Sequence, residues 1–200
     1  MAGTNAIAAT TDAIVALLGR AARDTRAFAT LPVSRGQSDD LQQALGDATP
    51  ASLSVFLRRV SVSPARHNVP YRVDDDGRRL LPPIPLDLYY LVIPFAGEAR
   101  MQQRLLGWAV RVLADTPILP SALLNDNGWD GTFADDETVE LAWAPLGTTE
   151  EQDAWQLAQA NQQPSASYVA RTVAIESQQT FDEHAPVQTT DLRYRPAVPA

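Results

Sequence analysis

The chain begins with hydrophobic positions at helical spacing. Ile7, Ile14 and Leu18 fall near one face of a helix, and Asn5 precedes them as a possible N-cap residue. This pattern predicts a first helix over residues 6–23. The polar stretch that follows allows only a short strand, at residues 27–33.

Two segments of the first half are typical of strands. Residues 52–62 (SLSVFLRRVSV) are β-rich and mostly apolar, which favours a central strand over one with a solvated face. Residues 86–95 (LDLYYLVIPF) are rich in aromatic and β-branched residues between prolines, and they form the strongest predicted strand. Because successive side chains of a strand point to opposite faces, Tyr89 and Tyr90 must lie on opposite sides of the sheet.

The clearest helix follows Gly97 and Glu98. It is expected to end at Thr116, because the ring of Pro117 disfavours a helical conformation in the residue before it. Four apolar residues mark one stripe of this helix, and we expect the stripe to pack on the strand at 86–95: Met101, Leu105, Trp108 and Val112.

The second half adds a strand at 137–144, a helix at 148–160 and a strand at 165–175. The order of these elements predicts an α+β fold, with one mixed β-sheet of about four to six strands flanked by about three helices. We expect a single domain over residues 1–180. The polar, proline-rich end predicts an extended C-terminal tail over 181–200, with a possible strand at 189–195.

Composition narrows the functional classes. The 200 residues carry 16 basic and 24 acidic side chains, a formal charge of −8, and every basic residue is arginine. No basic cluster is larger than a pair such as Arg58-Arg59, so nucleic acid is not an expected partner. The chain lacks cysteine, which excludes disulfides, thiolate metal sites and cysteine nucleophiles. No apolar run approaches the ~18 residues of a membrane span, and the N-terminus does not resemble a secretion signal.

Catalytic motifs are missing from the sequence. The two histidines, His67 and His184, fall in irregular polar stretches far apart in the chain. The sequence contains no G-x-S-x-G, no P-loop and no G-x-G-x-x-G, which are the motifs of esterases, nucleotide hydrolases and dinucleotide-binding enzymes. We therefore predict no catalytic residue, no bound metal and no cofactor.

One acidic loop resembles a metal-binding loop in part. Residues 126–137 (DNGWDGTFADDE) place Asp126, Asp130 and Glu137 at positions 1, 5 and 12 of a calcium loop, and Gly131 at its turn position. Gly128 occupies position 3, however, where a calcium loop needs an oxygen ligand. The expected flanking helices are also missing, which favours an acidic, glycine-rich turn.

Four segments together resemble one protein family. They are SLSVFLRRVSVSPARHN, PIPLDLYYLVIPF, MQQRLLGWAVRVLADTPILPSALL and, after the helix that contains Trp155, SASYVARTVAIES. These segments are similar to the cap, or tail-terminator, proteins of phage-tail-like contractile injection systems. The matching stretches run from about residue 5 to about residue 177.

The resemblance implies a tail-terminator-like fold and a structural role in assembly. Proteins of this kind form a hexameric ring that closes the inner tube and sheath at the end distal to the baseplate. The implied partners are further copies of the chain and the terminal tube and sheath subunits. The resemblance also implies assembly in the cytoplasm, with the finished particle either kept there or released, and no enzymatic activity.

Two alternatives from other functional classes stay open. One is a metal-dependent enzyme that uses the loop at 126–137, and the other is a monomeric protein-binding module. In the tail, apolar and charged side chains alternate as in a strand that pairs with a partner. For assembly or for binding, the candidate interface residues of the loop and the tail are Trp129, Phe133, Leu192, Arg193, Tyr194 and Arg195.

Overall fold

In the computed structural model, which describes residues 3–37, 50–64, 71, 73, 76–157 and 163–180, the chain forms six strands and four helices. The strands are β1 (Val33–Arg35), β2 (Ser52–Val62), β3 (Ile84–Phe95), β4 (Ile118–Pro120), β5 (Thr138–Trp143) and β6 (Ala166–Ile175). The helices are α1 (Ala6–Asp24), α2 (Ala99–Asp115), α3 (Ser121–Leu124) and α4 (Thr148–Leu157).

The described strands form one sheet in the order β1-β2-β3-β6-β5-β4. The β1–β2 pair is parallel and the other four pairs are antiparallel. This confirms the predicted α+β fold with one mixed sheet. The predicted boundary of the domain at residue 180 stays a prediction, because residues 181–200 lie outside the described part.

Helices α1 and α2 cover one face of the sheet, which we call the helical face. Ile14 and Leu18 of α1 and Leu113 of α2 pack there against buried strand residues. At the centre, the hydroxyl groups of Tyr90 and Thr11 lie 3.0 Å apart and share a hydrogen bond. Among the described residues, no helix is both long and apolar enough to span a membrane.

The opposite face is covered by α4 through Trp155, and we call it the Trp155 face. Trp155 packs against Leu91, Ile93 and Phe95, the alternate residues of β3. Tyr90 is fully buried on the helical face, whereas Tyr89 is half-buried and directed away from it. The prediction that these two tyrosines lie on opposite faces is therefore confirmed.

The buried side of α2 differs from the predicted stripe. Leu105, Ala109 and Leu113 are its buried residues, whereas Trp108 and Val112 are only half-buried. The small side chain of Ala109 fits where the helix meets the core. The bulky ring of Trp108 instead lies at the rim, with its centroid 5.2 Å from that of Phe28.

The first strand begins later than predicted. Residues 26–30 form turns in place of the strand expected at 27–33, and the amide groups of Phe28 and Leu31 donate to the carbonyl groups of Thr25 and Phe28. These turns bring Phe28 into a cluster with Ala22 and Leu105. β1 starts only at Val33, after the turns end.

A bulge interrupts the pairing of β3 with β6. Leu86 faces Val173 and Leu88 faces Ala170, so Asp87 lies opposite two residues of β6. One of them, Thr172, has a φ angle of 61°, which is unfavourable for a β-branched residue. Its amide group donates a hydrogen bond of 3.1 Å to Oδ1 of the buried Asp87, and this bond stabilises the bulge.

Candidate interaction surfaces

The loop predicted as a possible metal site is closed by side-chain hydrogen bonds. Asn125 Nδ2 donates to the carbonyl oxygen of Phe133, and the amide of Phe133 donates to Asn125 Oδ1, both at 2.8 Å. Gly128 and Gly131 adopt φ angles of 89° and 71°, which glycine accepts without steric cost. These interactions form a compact turn between α3 and β5.

Two of the acidic residues of this loop bind partners within the protein. Asp126 forms an ion pair with Arg20 of α1, and Glu137 Oε2 accepts a hydrogen bond of 2.7 Å from the amide of Ala134. In the part of the chain that the structure describes, no group of three histidine, cysteine, aspartate or glutamate residues could hold a metal ion. The geometry therefore does not favour the metal-dependent alternative.

The aromatic residues of the loop pack on the domain. Phe133 is 3% exposed and belongs to the main core, so its side chain is not available on the surface. Trp129 is half-buried, and its Nε1 donates a hydrogen bond of 2.8 Å to Asp12 Oδ2. Asp12 also pairs with Arg35 of β1 at 3.2 Å. A role for Trp129 toward a partner stays a prediction.

The candidate residues of the C-terminal tail lie outside the described part of the chain. They are Leu192, Arg193, Tyr194 and Arg195, and their assignment to an interface stays a prediction.

The structure instead exposes part of β2. The prediction of a central strand holds only for its first half, because β1 pairs with Leu53, Ser54 and Val55. Beyond these residues, no described strand pairs with the outer side of β2. We call residues 57–62 the β2 edge.

The backbone direction along the β2 edge follows from one hydrogen bond. The amide of Ser63 donates to the carbonyl oxygen of Pro85 at 2.8 Å, so the backbone groups of Ser63 point toward β3. Because backbone direction alternates in an antiparallel pair, Arg59 and Ser61 also point toward β3. The amide and carbonyl groups of Val60 and Val62 therefore point away from the sheet.

The side chains of the β2 edge divide between the two faces. Val60 and Val62 lie opposite Leu88 and Leu86, hence on the helical face, and their side chains are 42% and 66% exposed. Ile84 lies on the same face of the neighbouring strand and is 55% exposed. These three residues form an exposed apolar surface beside the open edge.

Arginines occupy the other face of the β2 edge. The guanidinium carbons of Arg58 and Arg59 lie 5.3 and 4.2 Å from the ring centre of Tyr89. Burial and the charge of Arg59 lower the pKa of Arg58. Glu150 lies 3.8 Å from Arg59, and among the described residues no carboxylate is found within salt-bridge distance of Arg58. Within the described part of the chain, Arg58 Nε is buried and has no hydrogen-bond partner. This cluster therefore has an excess of positive charge.

The sequence contained one signal for this surface. Arg58 and Arg59 interrupt an otherwise apolar strand, and the register of β2 against β3 shifts between Leu57 and Arg59. Charged residues and bulges are both typical of edge strands. The prediction of residues 52–62 as a central strand is therefore wrong for residues 57–62 in the described structure.

Taken together, these features define a single α+β domain with one open, basic sheet edge and no catalytic cluster among the described residues. The sequence matches the model of the Pvc16 N-terminal domain over residues 9–189, and the chain therefore belongs to this family. No curated protein sequence matches the chain significantly.

Two solved structures are similar to this chain, and the first of them shares its fold. The first is the PVC sheath/tube terminator of an extracellular contractile injection system in its extended state, with a TM-score of 0.61, 16% sequence identity, and coverage of 96% of this chain and 64% of that chain. The second is the anti-feeding prophage cap, a tube-terminating cap, with a TM-score of 0.49, 16% identity, and coverage of 78% and 52%. The chain spans less than two thirds of the length of either structure. The family resemblance and the fold expected from the sequence are confirmed.

Proposed function

We propose that this protein is a structural cap that closes the baseplate-distal end of the inner tube and sheath of a contractile injection system. The observation that carries the proposal is the shared fold, which extends over 96% of this chain, with a protein described as a sheath/tube terminator. The family match over residues 9–189 supports it independently. The role is structural rather than enzymatic.

The cap acts as a closed hexameric ring. A closed ring requires heterologous contacts, in which one surface of a subunit meets a different surface of the next. The two edges of the sheet provide different surfaces, because the β2 edge is basic and open whereas β4 is short and contains Pro120. This difference supports a ring over a two-fold dimer.

The proposal is tested by removing the protein from the assembling particle. Tube, sheath and baseplate subunits are expressed with and without this chain, and particle lengths and ends are measured by electron microscopy. With the chain present, we expect a narrow length distribution and a six-fold ring at one end. Particles of equal length and equal ends in both preparations, or a self-complementary dimer at the particle end, would contradict the proposal.

A further inference from the structure

Three features of the β2 edge coincide along a single stretch of strand. The backbone groups of Val60 and Val62 point away from the sheet, their side chains are exposed on the helical face, and Arg58 and Arg59 lie over Tyr89 on the other face. Each feature by itself is common on protein surfaces. Their coincidence specifies the chemistry of a binding partner.

The backbone groups of Val60 and Val62, which pair with no described strand on their outer side, favour a partner in extended conformation. An exposed edge presents amide and carbonyl groups at the spacing of a β-ladder, which an added strand satisfies by main-chain hydrogen bonds. The side chains of an added strand alternate between the two faces. Residues opposite Val60 and Val62 therefore meet the apolar surface that includes Ile84, and those opposite Arg59 and Ser61 meet the basic cluster.

The basic cluster requires acidic side chains in the alternate positions. Two guanidinium groups share one neighbouring carboxylate in the described part, that of Glu150, and Arg58 Nε is a buried donor without an acceptor. Opposite charges across a strand pair are favourable, and like charges are unfavourable. Pairing of one β2 edge with the β2 edge of a second copy would bring four arginines together, which disfavours that arrangement.

We propose that the β2 edge binds an extended acidic strand of another subunit of the capped particle, with apolar and acidic side chains in alternation. The proposal rests on the cap function given above for the identity of the donor particle. The strand-binding chemistry itself depends only on the β2 edge.

The first test uses amide hydrogen exchange of the whole protein, measured by NMR. In the isolated protein, we expect the amides of Val60 and Val62 to exchange much faster than those of Arg59 and Ser61, whose donors face β3. Equal protection of all four amides would mean that the edge is already covered by the chain itself, and the proposal would be wrong.

The second test adds a short soluble peptide in which valine and glutamate alternate. This peptide should protect Val60 and Val62 from exchange, and a matched valine–lysine peptide should not. Arg59→Glu should weaken binding of the acidic peptide about tenfold, equivalent to ~1.4 kcal/mol. Equal binding of both peptides, or none at millimolar concentration, would overturn the proposal.

The third test uses the particle. Val60→Pro removes an amide that faces outward, a position where an edge strand tolerates proline, and it should abolish capping, whereas Val60→Thr should preserve it. Ile118→Pro, at the outward amide of β4 on the opposite edge, is the matched control for peptide binding. It should bind the valine–glutamate peptide as the wild type does, whereas Val60→Pro should not. If Val60→Pro is folded by circular dichroism and caps as well as the wild type, the edge proposal fails while the cap function stands. If the wild type itself does not cap, the function fails, and the peptide experiment still decides the edge.

Discussion

Strands β2 and β3 pass from a covered region into an open one on the same face of the sheet. Under α1 and α2, Leu88 and Tyr90 are completely buried and belong to the main core. On the same face of the same strands, Val62 and Ile84 are more than half exposed. The two regions have similar apolar side chains, but only one of them is covered.

The difference separates residues that stabilise the domain from residues that are available to a partner. Exposed apolar side chains beside an open edge carry a risk of aggregation, and proteins usually block such edges with short strands, proline or charge. β4 is blocked in this way, since it has three residues and ends in Pro120. The β2 edge has a bulge and two arginines. Its outward backbone groups nevertheless pair with no described strand, so they are available to a binding partner.

The largest effect on the free energy of unfolding is expected in the covered region. Leu88→Ala should lower the free energy of unfolding by about 2–5 kcal/mol, because it removes buried apolar surface and leaves a cavity. Urea denaturation followed by tryptophan fluorescence measures this loss. A loss below ~0.5 kcal/mol would show that the helical face is not packed at Leu88.

The next effect is expected at the bulge between the two regions. Asp87→Ala leaves the amide of Thr172 without its acceptor, which should cost about 1–3 kcal/mol. Asp87→Asn retains an acceptor oxygen and should cost less. If the two variants were equally stable, the hydrogen bond from Thr172 would not be what holds the bulge.

Two buried tyrosines provide a smaller and more selective comparison. Tyr90→Phe removes the hydrogen bond with Thr11 and should cost about 0.5–1.5 kcal/mol. Tyr168 OH is buried without a partner in the described structure, so Tyr168→Phe should be neutral or slightly stabilising. Thermal unfolding of the two variants side by side measures the difference, and the reverse order would refute this interpretation.

Tyr168 should make the free energy of unfolding depend on pH in the alkaline range. Burial raises the pKa of Tyr168 to about 12, whereas a tyrosine in an unfolded chain titrates near ~10. Because the folded protein disfavours the ionised form of this hydroxyl, its titration leaves the stability unchanged below about pH 10 and lowers it as the pH rises toward about 12. The free energy of unfolding should fall in this window, and less steeply in Tyr168→Phe. If the free energy of unfolding fell equally steeply with pH in the wild type and in Tyr168→Phe, Tyr168 would not be the group responsible.

The smallest effect on stability is expected in the open region. Val62→Ala should change the free energy of unfolding by less than about 0.5 kcal/mol, because the side chain is already mostly in water. Urea denaturation alongside Leu88→Ala gives the direct contrast. A loss comparable with that of Leu88→Ala would mean that Val62 is covered in solution, and the two regions would not differ.

Local sequence patterns predicted most of the elements. The helix expected at 6–23 is Ala6–Asp24, and the strands expected at 52–62 and 165–175 are Ser52–Val62 and Ala166–Ile175. These segments have strong periodicity and clear boundaries, so neighbouring residues determine their type.

The candidate surfaces depended on contacts between distant parts of the chain. Trp129 and Asp12 are 117 positions apart, and their hydrogen bond helps to hold the predicted loop against the domain. Whether residues 57–62 lie inside the sheet or at its edge depends on where the short parallel strand β1 ends. Periodicity within a segment does not contain this information, so Phe133 was expected at an interface and the β2 edge was expected inside the sheet.

The cap function and the strand-binding role of the β2 edge are tested together by a cryo-EM reconstruction of the baseplate-distal end of the assembled particle. We expect a hexameric ring of this chain at that end, with an acidic strand from another subunit added to the β2 edge of each copy. A particle end without this chain, or a ring in which every β2 edge faces solvent, would contradict it.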